Sequence, residues 1–366
     1  MSITHMPSMI EQVEGLGEDN GSTWGYPIDT VLIRQENRTV HDVLRRIDQG
    51  SFVMDPDFQR DFIWTEDKQS KLIESVLMRI PLPVFYLAED DQGRMVVVDG
   101  LQRLSTFQRF VSNLFKLKLP DQTDLDGKPF KDLTAKLQNR IEDCNLILYV
   151  IDAKVPERAR LDIFERVNSG VPLTRQQMRN SLLMGNGTRF LKVEASTDLF
   201  RNATGHSLSW ATMRDREFVN RFCAFSLLGI DEYRGDMDDY LARALKLMNK
   251  MGPSDLSNLS NRFKIGLTNN LLVFGKHAFR KHSIDQDERS VINASLWDVM
   301  STGLSEYSTT LVKSKEAALK AAFYRLLIDP DFSISITYAT NDTRRVKYRF
   351  AASKDMLRGV FGAEPT

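Results

Sequence analysis

The sequence predicts an α+β protein: a mixed α/β part followed by a mainly helical one. Three observations carry this. The short apolar runs "VFYLAED", "RMVVVD" and "NLILYVID", which read as strands, all lie before residue 153. Beyond Asp152 the apolar residues recur at three- and four-residue spacing, and strand signals nearly vanish. The length of 366 residues, with 42% hydrophobic and 27% charged, suits one large or two medium globular domains. The expected organisation is an N-terminal arm over 1–27, a mixed domain over 28–153 and a mainly helical domain over 154–366.

In chain order, residues 1–27 lack sustained periodicity and read as a mobile or loosely docked arm. "TVHDVLRRIDQG" is a helix with Val40, Val43, Leu44 and Ile47 on one face and Gly50 as its stop. Residues 55–64 are irregular. Thr65 is the N-cap of a helix whose stripe is Leu72, Ile73, Val76, Leu77 and Ile80. "VFYLAED", the turn "DQG" and "RMVVVD" form a hairpin. "LQRLSTFQRFVSNLF" is a helix with Leu104, Phe107, Phe110, Val111 and Leu114 inward, followed by a short strand "FKLKL". A helix near 134–142 leads to a strand over 145–152. Helices then fit 155–170, 174–185 with Thr174 as N-cap, 187–195, 213–229, 236–251, 254–281, 288–303 and 313–328. A strand at "ISITYAT" or "VKYRFA" precedes a last helix near 351–361.

Lys plus Arg equals Asp plus Glu at 49 each, so net charge exerts no global pull on a polyanion. The distribution is uneven. Residues 1–30 hold five acids and no Lys or Arg, whereas 341–358 hold six basic residues against two acids. Arg344, Arg345, Lys347 and Arg349 are therefore candidate DNA contacts, although a basic face on a terminal helix is more often simply solvated. No apolar run approaches the roughly 18 residues of a membrane span, and no signal-peptide pattern opens the chain. Cys144 and Cys223 give neither a disulfide framework nor a zinc pattern, so no metal site is expected and the cytoplasm is the expected compartment.

The stretch "VVVDGLQRLSTFQRF" carries the most chemistry. Gly100 at a strand-to-helix turn tolerates positive φ and lets a ligand approach the backbone. The following helix offers free N–H groups and a positive dipole end, an anion site. The Arg103 fork could grip phosphate, Gln102 could orient a water, and Asp99 could hold a metal-bound water or act as a base. The same letters also make a capped turn with Arg103 paired to Asp99. The stretch is neither a P-loop nor a dinucleotide fingerprint. In "FQRDFIW", Arg60 could meet the same anion and Trp64 could stack on a base, or Trp64 could pin the loop with Arg60 paired to Asp61 or Asp57. In "IFERVNSG", Arg166 and Asn168 end a helix, either as its cap or as a second polar wall. "HAFRKH" sets His277 and His282 five apart on an expected helix, about 140° apart around the axis and poor geometry for one metal.

With "FQRDFIWTEDKQSKLIESVLMRIPLPVFYLAED", "VVVDGLQRLSTFQRF" and "FERVNSGVPLTRQQMRNSLL" in this order, the chain resembles the GmrSD restriction endonuclease N-terminal domain family over roughly residues 38–185. The resemblance implies a ParB/sulfiredoxin-like fold for the mixed domain. It also implies a nucleotide-binding module of prokaryotic restriction and anti-phage systems, whose Asp-Gly-Gln-Gln-Arg signature is linked to NTP binding and hydrolysis. Residue by residue, that signature falls on Asp99, Gly100, Gln102 and Arg103, of which Asp99, Gln102 and Arg103 would be catalytic. Gln59, Arg60 and Trp64 match the family's Gln-Arg…Trp element, and Phe164, Arg166 and Asn168 its Phe-x-Arg-x-Asn element. Leu101 departs from the signature, where the family usually has its first Gln; it could face the core or remove a water-positioning group.

Full-length members often add a His-Asn-His nuclease. The five histidines here do not form that pattern, so a nuclease or effector is expected as a separately encoded partner. The leading expectation is an NTP-hydrolysing subunit that uses Mg²⁺ and couples nucleotide state to DNA or a partner, with no membrane association and with homo-oligomerisation open. A ParB-like DNA-binding or DNA-nicking protein and a non-catalytic assembly subunit stand as alternatives.

Overall fold

The computed structural model of the chain describes residues 13–16, 32–54, 64–90, 92–167 and 174–362. Its contacts divide the chain into two compact units, Trp24–Leu173 and Met1–Thr23 with Thr174–Thr366. The first is α+β and the second, among the described residues, is almost wholly helical. The helix over 157–167 groups with the sheet unit, so the division falls after it and not at residue 153.

The sheet unit holds strands β1 (Ile33–Thr39), β2 (Phe52–Val53), β3 (Phe85–Glu89), β4 (Met95–Asp99) and β5 (Asn145–Ile151). Its helices are α1 (Val40–Asp48), α2 (Glu66–Leu77), α3 (Leu101–Val111), α4 (Ala135–Glu142) and α5 (Glu157–Val167). The strand order is β1-β5-β3-β4-β2. The pairs β1/β5 and β3/β4 are antiparallel, while β3/β5 and β2/β4 are parallel. The β3–β4 hairpin therefore forms as the two apolar runs predict. One sheet face packs Phe85, Leu87, Val97, Leu146, Leu148 and Val150 against Val43 and Leu44 of α1, Ile73 and Val76 of α2, and Leu104 and Phe107 of α3. Burying such side chains stabilises the unit by about 25 cal/mol per Å² of apolar surface removed from water.

Several expectations are corrected here. No apolar run marks a strand before residue 40, yet β1 pairs with β5 along its whole length. Its sequence "IRQENRT" has no apolar alternation because β1 is an edge strand. Its charges are satisfied laterally instead: Arg34 pairs with Glu36 at 3.0 Å and with Glu89 at 2.8 Å, and Arg38 pairs with Asp42 at 2.8 Å. "FKLKL" buries Phe115, Leu117 and Leu119 in alternation as a strand would, but it joins no ladder. The Leu117 N–H donates to the Lys128 carbonyl (3.0 Å) and the Leu119 N–H to the Asp126 carboxylate (2.7 Å). Ile80 and Leu114 lie just past their helix ends and are exposed. Thr65 occupies the N-cap position without a side-chain cap bond.

In the helical unit, α6 (Arg175–Leu182) starts with the Thr174–Gln177 capping box, so Thr174 is the N-cap as expected. Then come α7 (Asn186–Ala195), α8 (Asp198–Thr204), α9 (Arg214–Leu227), α10 (Met237–Met248) and α11 (Pro253–Phe274). The remainder are α12 (Ala294–Leu304), α13 (Thr309–Ser314), α14 (Glu316–Ile328), α15 (Pro330–Thr337) and α16 (Thr343–Phe361). Trp297 sits fully buried among Phe200, Phe218, Phe263 and Phe279, its indole N–H donating to the Phe218 carbonyl at 2.8 Å. "ISITYAT" and "VKYRFA" are not strands. Asp329 caps α15 with Pro330 at its first turn, and Asp342 caps the 19-residue α16. The expected helix 254–281 ends at Phe274, so His277 and His282 are not on one helix; their rings stack at 4.7 Å, with His282 buried. Of the N-terminal arm, residues 13–16 dock on this unit through a Glu14 bridge to Asn293. The remainder of the arm lies outside the described residues.

Candidate functional site

The turn between β4 and α3 is built around Gly100. Its φ of +100° is a left-handed conformation, and a Cβ there would stand 2.3 Å from Cδ1 of Phe85. Both facts demand glycine at this position. Gly100 is also the N-cap of α3 and has no side chain of its own to bond the helix start. Asp99 does not bond the first-turn N–H groups. Its Oδ2 instead accepts from Arg103 Nη2 at 2.8 Å.

Arg103 is the best-anchored side chain of the turn. Besides Asp99, it donates to the Val84 carbonyl at 3.1 Å and to the Pro83 carbonyl, and its guanidinium carbon lies 4.2 Å from the Phe85 ring centroid. Burial lowers its pKa from the usual guanidinium range, and the Asp99 carboxylate opposes that shift. The Arg103 side chain is 11% exposed and that of Asp99 36%. Arg103 thus ties β4, α3 and the segment before β3 into one frame. It is a strut whose fork is already occupied.

Gln102 follows in the first turn of α3, its Oε1 accepting from the Trp64 N–H at 3.4 Å. The Trp64 side chain is half-buried and packs against the core cluster of the sheet. The structure thus brings together Asp99, Gly100, Gln102, Arg103 and Trp64, with Trp64 in a packing position. Leu101 also packs against that core, so the departing letter of the signature faces inward. Gln59, Arg60 and Asn168 lie outside the described residues. Arg166 is exposed in the last turn of α5.

Residues that no sequence motif marks complete the site. Phe85 supplies both the wall under Gly100 and the ring under Arg103. Arg160 of α5 is buried and donates to the Glu89 carbonyl at 2.8 Å, fixing α5 to the end of β3. No sequence signal separates it from the other arginines of that helix. A register shift between Tyr86 and Leu87 sets Leu87 opposite Val97 but Tyr86 opposite Asp99. Val98 is the extra residue of this β-bulge. It takes Asp99 out of alternation with the core-facing Val97, a re-aiming common beside functional sites.

In the helical unit the four basic candidates separate. Arg344 is exposed (side chain 94%), as is Lys347, and Arg345 donates to the Tyr338 carbonyl. Arg349 does not belong to that surface: it is fully buried, its Nη2 3.0 Å from Asp298 Oδ2. Arg175 and Arg179 of α6 both pair with Asp238, at 3.0 and 2.5 Å. Among the described residues no group of three His, Cys, Asp or Glu side chains could hold a metal ion. None of the described helices is long and apolar enough to cross a membrane.

Residues 40–184 match the family described as GmrSD restriction endonuclease, N-terminal domain. No curated protein and no solved structure matches the chain. The match spans the glycine turn, the Arg103 frame, Phe164 and the Thr174 capping box. What the comparison shows is a likeness of one region: residues 40–184 are similar to the GmrSD restriction endonuclease N-terminal domain.

Proposed function

We propose that this chain is a nucleotide-binding, NTP-hydrolysing component of a restriction-type system, with its site at the β4–α3 turn. The carrying observation is at Gly100: a left-handed glycine, with no side chain of its own, as the N-cap of an eleven-residue helix. The positive dipole end of that helix favours phosphate oxygens. Arg103 holds Asp99 and the 83–84 carbonyls in place, so its role is positioning. Gln102 would orient the attacking water, and Asp99 would accept its proton or hold a metal-bound water. Mg²⁺ supplies charge neutralisation on the phosphates when bound. A single half-exposed carboxylate at the turn fits an ion held mainly by phosphate oxygens and water. Among the family-matched positions, the exposed Arg166 is a further cation for the nucleotide.

Calorimetry of the full chain with the four NTPs, with and without Mg²⁺, tests this together with phosphate release. One or more NTPs should bind, and Arg103→Ala should bind at least tenfold more weakly because Asp99 loses its partner. Absence of binding, or equal binding by Arg103→Ala, would sink the proposal.

A second element concerns what the nucleotide state controls. α16 exposes Arg344, Lys347, Lys354 and Arg358, a cationic face that favours contact with DNA, with a separately encoded nuclease as the effector. Mobility shifts across a salt series test it, since phosphate contacts give binding that weakens steeply with salt.

A further inference from the structure

The second face of the sheet changes character along its length. One row across it is Ile33, Ile151, Ala88 and Val96, in register on β1, β5, β3 and β4. Ile151, Ala88 and Val96 are fully buried, and α5 packs on β4 there with Arg160 bonded to Glu89. Two residues further on, about 6.6 Å along the strands, the same face presents Gln35, Tyr149, Tyr86 and Asp99, again in register. Here burial falls away on the inner strands: Tyr149 and Tyr86 are half-buried where Ile151 and Ala88 are fully buried, while β1 is exposed in both rows. The two rings stack on each other, centroids 5.6 Å apart and 29° between planes.

A pair of half-buried aromatic rings on a rigid sheet, one strand from Asp99, is unusual for a structural role alone. The core lies on the opposite face, where Phe85 and Leu87 point. Trp64, the aromatic residue that the signature elements offered for a base, packs against that core. Tyr86 is the register partner of Asp99 because of the Val98 bulge, so the bulge brings the carboxylate and the aromatic pair to one side of the sheet. Stacking on an aromatic ring suits any nucleobase, since every base has a π-face. Neighbouring strands lie about 4.8 Å apart, so the ring pair and the phosphate-binding turn at Gly100 are within the span of one nucleotide.

We infer that Tyr86 and Tyr149 form the platform on which the base of the bound nucleotide stacks, with the phosphates at the Gly100 turn. The inference rests on the nucleotide-binding reading and adds a base subsite to it. The platform reads the π-face, so it contributes affinity and little base discrimination.

The test is calorimetry of the full chain in Mg²⁺ with two probes, the tightest-binding NTP and inorganic tripolyphosphate, on Tyr86→Leu, Tyr149→Leu and the two Phe variants. The Leu variants keep apolar bulk and should weaken NTP binding about tenfold, the effect of losing one base–aromatic stack, with tripolyphosphate binding unchanged. The Phe variants keep the ring and should stay within about twofold of the parent. Leu variants that bind the NTP like the parent overturn the inference and leave the nucleotide reading intact. Parallel loss of NTP and tripolyphosphate overturns it as well, because the tyrosines would then support the phosphate end. A parent that binds neither probe overturns the nucleotide reading itself, and the base subsite with it.

Discussion

Both units hold an Asp–Arg association, and the two differ in every property that matters for function. In the helical unit, Asp298 accepts from Arg221 at 2.8 and 2.6 Å and from Arg349 at 3.0 Å, with all three side chains buried. Burial lowers the Arg349 pKa, because a second guanidinium shares the one carboxylate; the Arg221 pKa is raised, the Asp298 charge and hydrogen bonds outweighing burial. In the sheet unit, Asp99 has one guanidinium partner and is over a third exposed. The first arrangement cannot exchange partners without placing an uncompensated charge in a dry interior. The second can, since water or a ligand reaches Asp99 at little cost. The same residue pair is thus a pin in one unit and an adjustable group in the other. Burial and the number of guanidinium partners make the difference.

Replacing the two aspartates in turn breaks the comparison most directly. Asp298→Ala leaves two buried guanidinium groups unpaired and should destabilise the helical unit by about 3–5 kcal/mol, read by denaturant unfolding. Asp99→Ala should cost under ~1 kcal/mol in the same measurement while removing NTP hydrolysis. Similar stability losses for the two would erase the distinction.

Gly100→Ala comes next. It forces a Cβ into Phe85 and holds Ala at φ +100°, so we expect a loss of ~2 kcal/mol together with lost nucleotide binding. Parent-like stability and affinity would show that the turn is not under the constraint described.

Asp215 sharpens the contrast from a third side. Burial pushes its pKa up to about 6 from 3.8, opposed by the Arg216 N–H bonded to it at 2.7 Å. A raised folded pKa means that its stabilising contribution is complete below about pH 4 and is lost as pH rises through about 6. Asp215→Asn should therefore flatten the pH–stability curve between these values and raise stability at pH 7 by on the order of 1 kcal/mol. An unchanged slope in thermal melts across that range would refute it.

The smallest effect belongs to the surface. Arg344→Ala and Lys347→Ala should leave stability within ~0.5 kcal/mol. Each should reduce the salt slope of DNA binding by about 1, whereas the buried Arg349 should affect stability and not the slope. A mobility shift indifferent to all three removes DNA from the reading of α16.

The limits of what was legible follow the same physics. Strands β3, β4 and β5 and the helices with apolar stripes were readable because their side chains bury on one face, and burial writes a period into the sequence. β1 was not, because an edge strand with solvated side chains carries no such period. "FKLKL" shows the converse: alternating burial without a ladder. The helical unit's last strand proposals failed where Asp329-Pro330 and Asp342 act as helix starts.

By itself the sequence determined the α+β class, the β3–β4 hairpin, β5, the glycine turn and the family likeness of residues 40–184. These are local or ordered features, and neighbouring letters suffice to state them. Only the tertiary structure decided that Arg103 is a strut, that Leu101 and Trp64 face the core, and that Arg349 is a buried pin. It also decided that a one-residue bulge sets Asp99 beside Tyr86 and Tyr149. Each of these depends on which distant strand or helix removes water from a side chain. Desolvation and register are properties of the assembled chain.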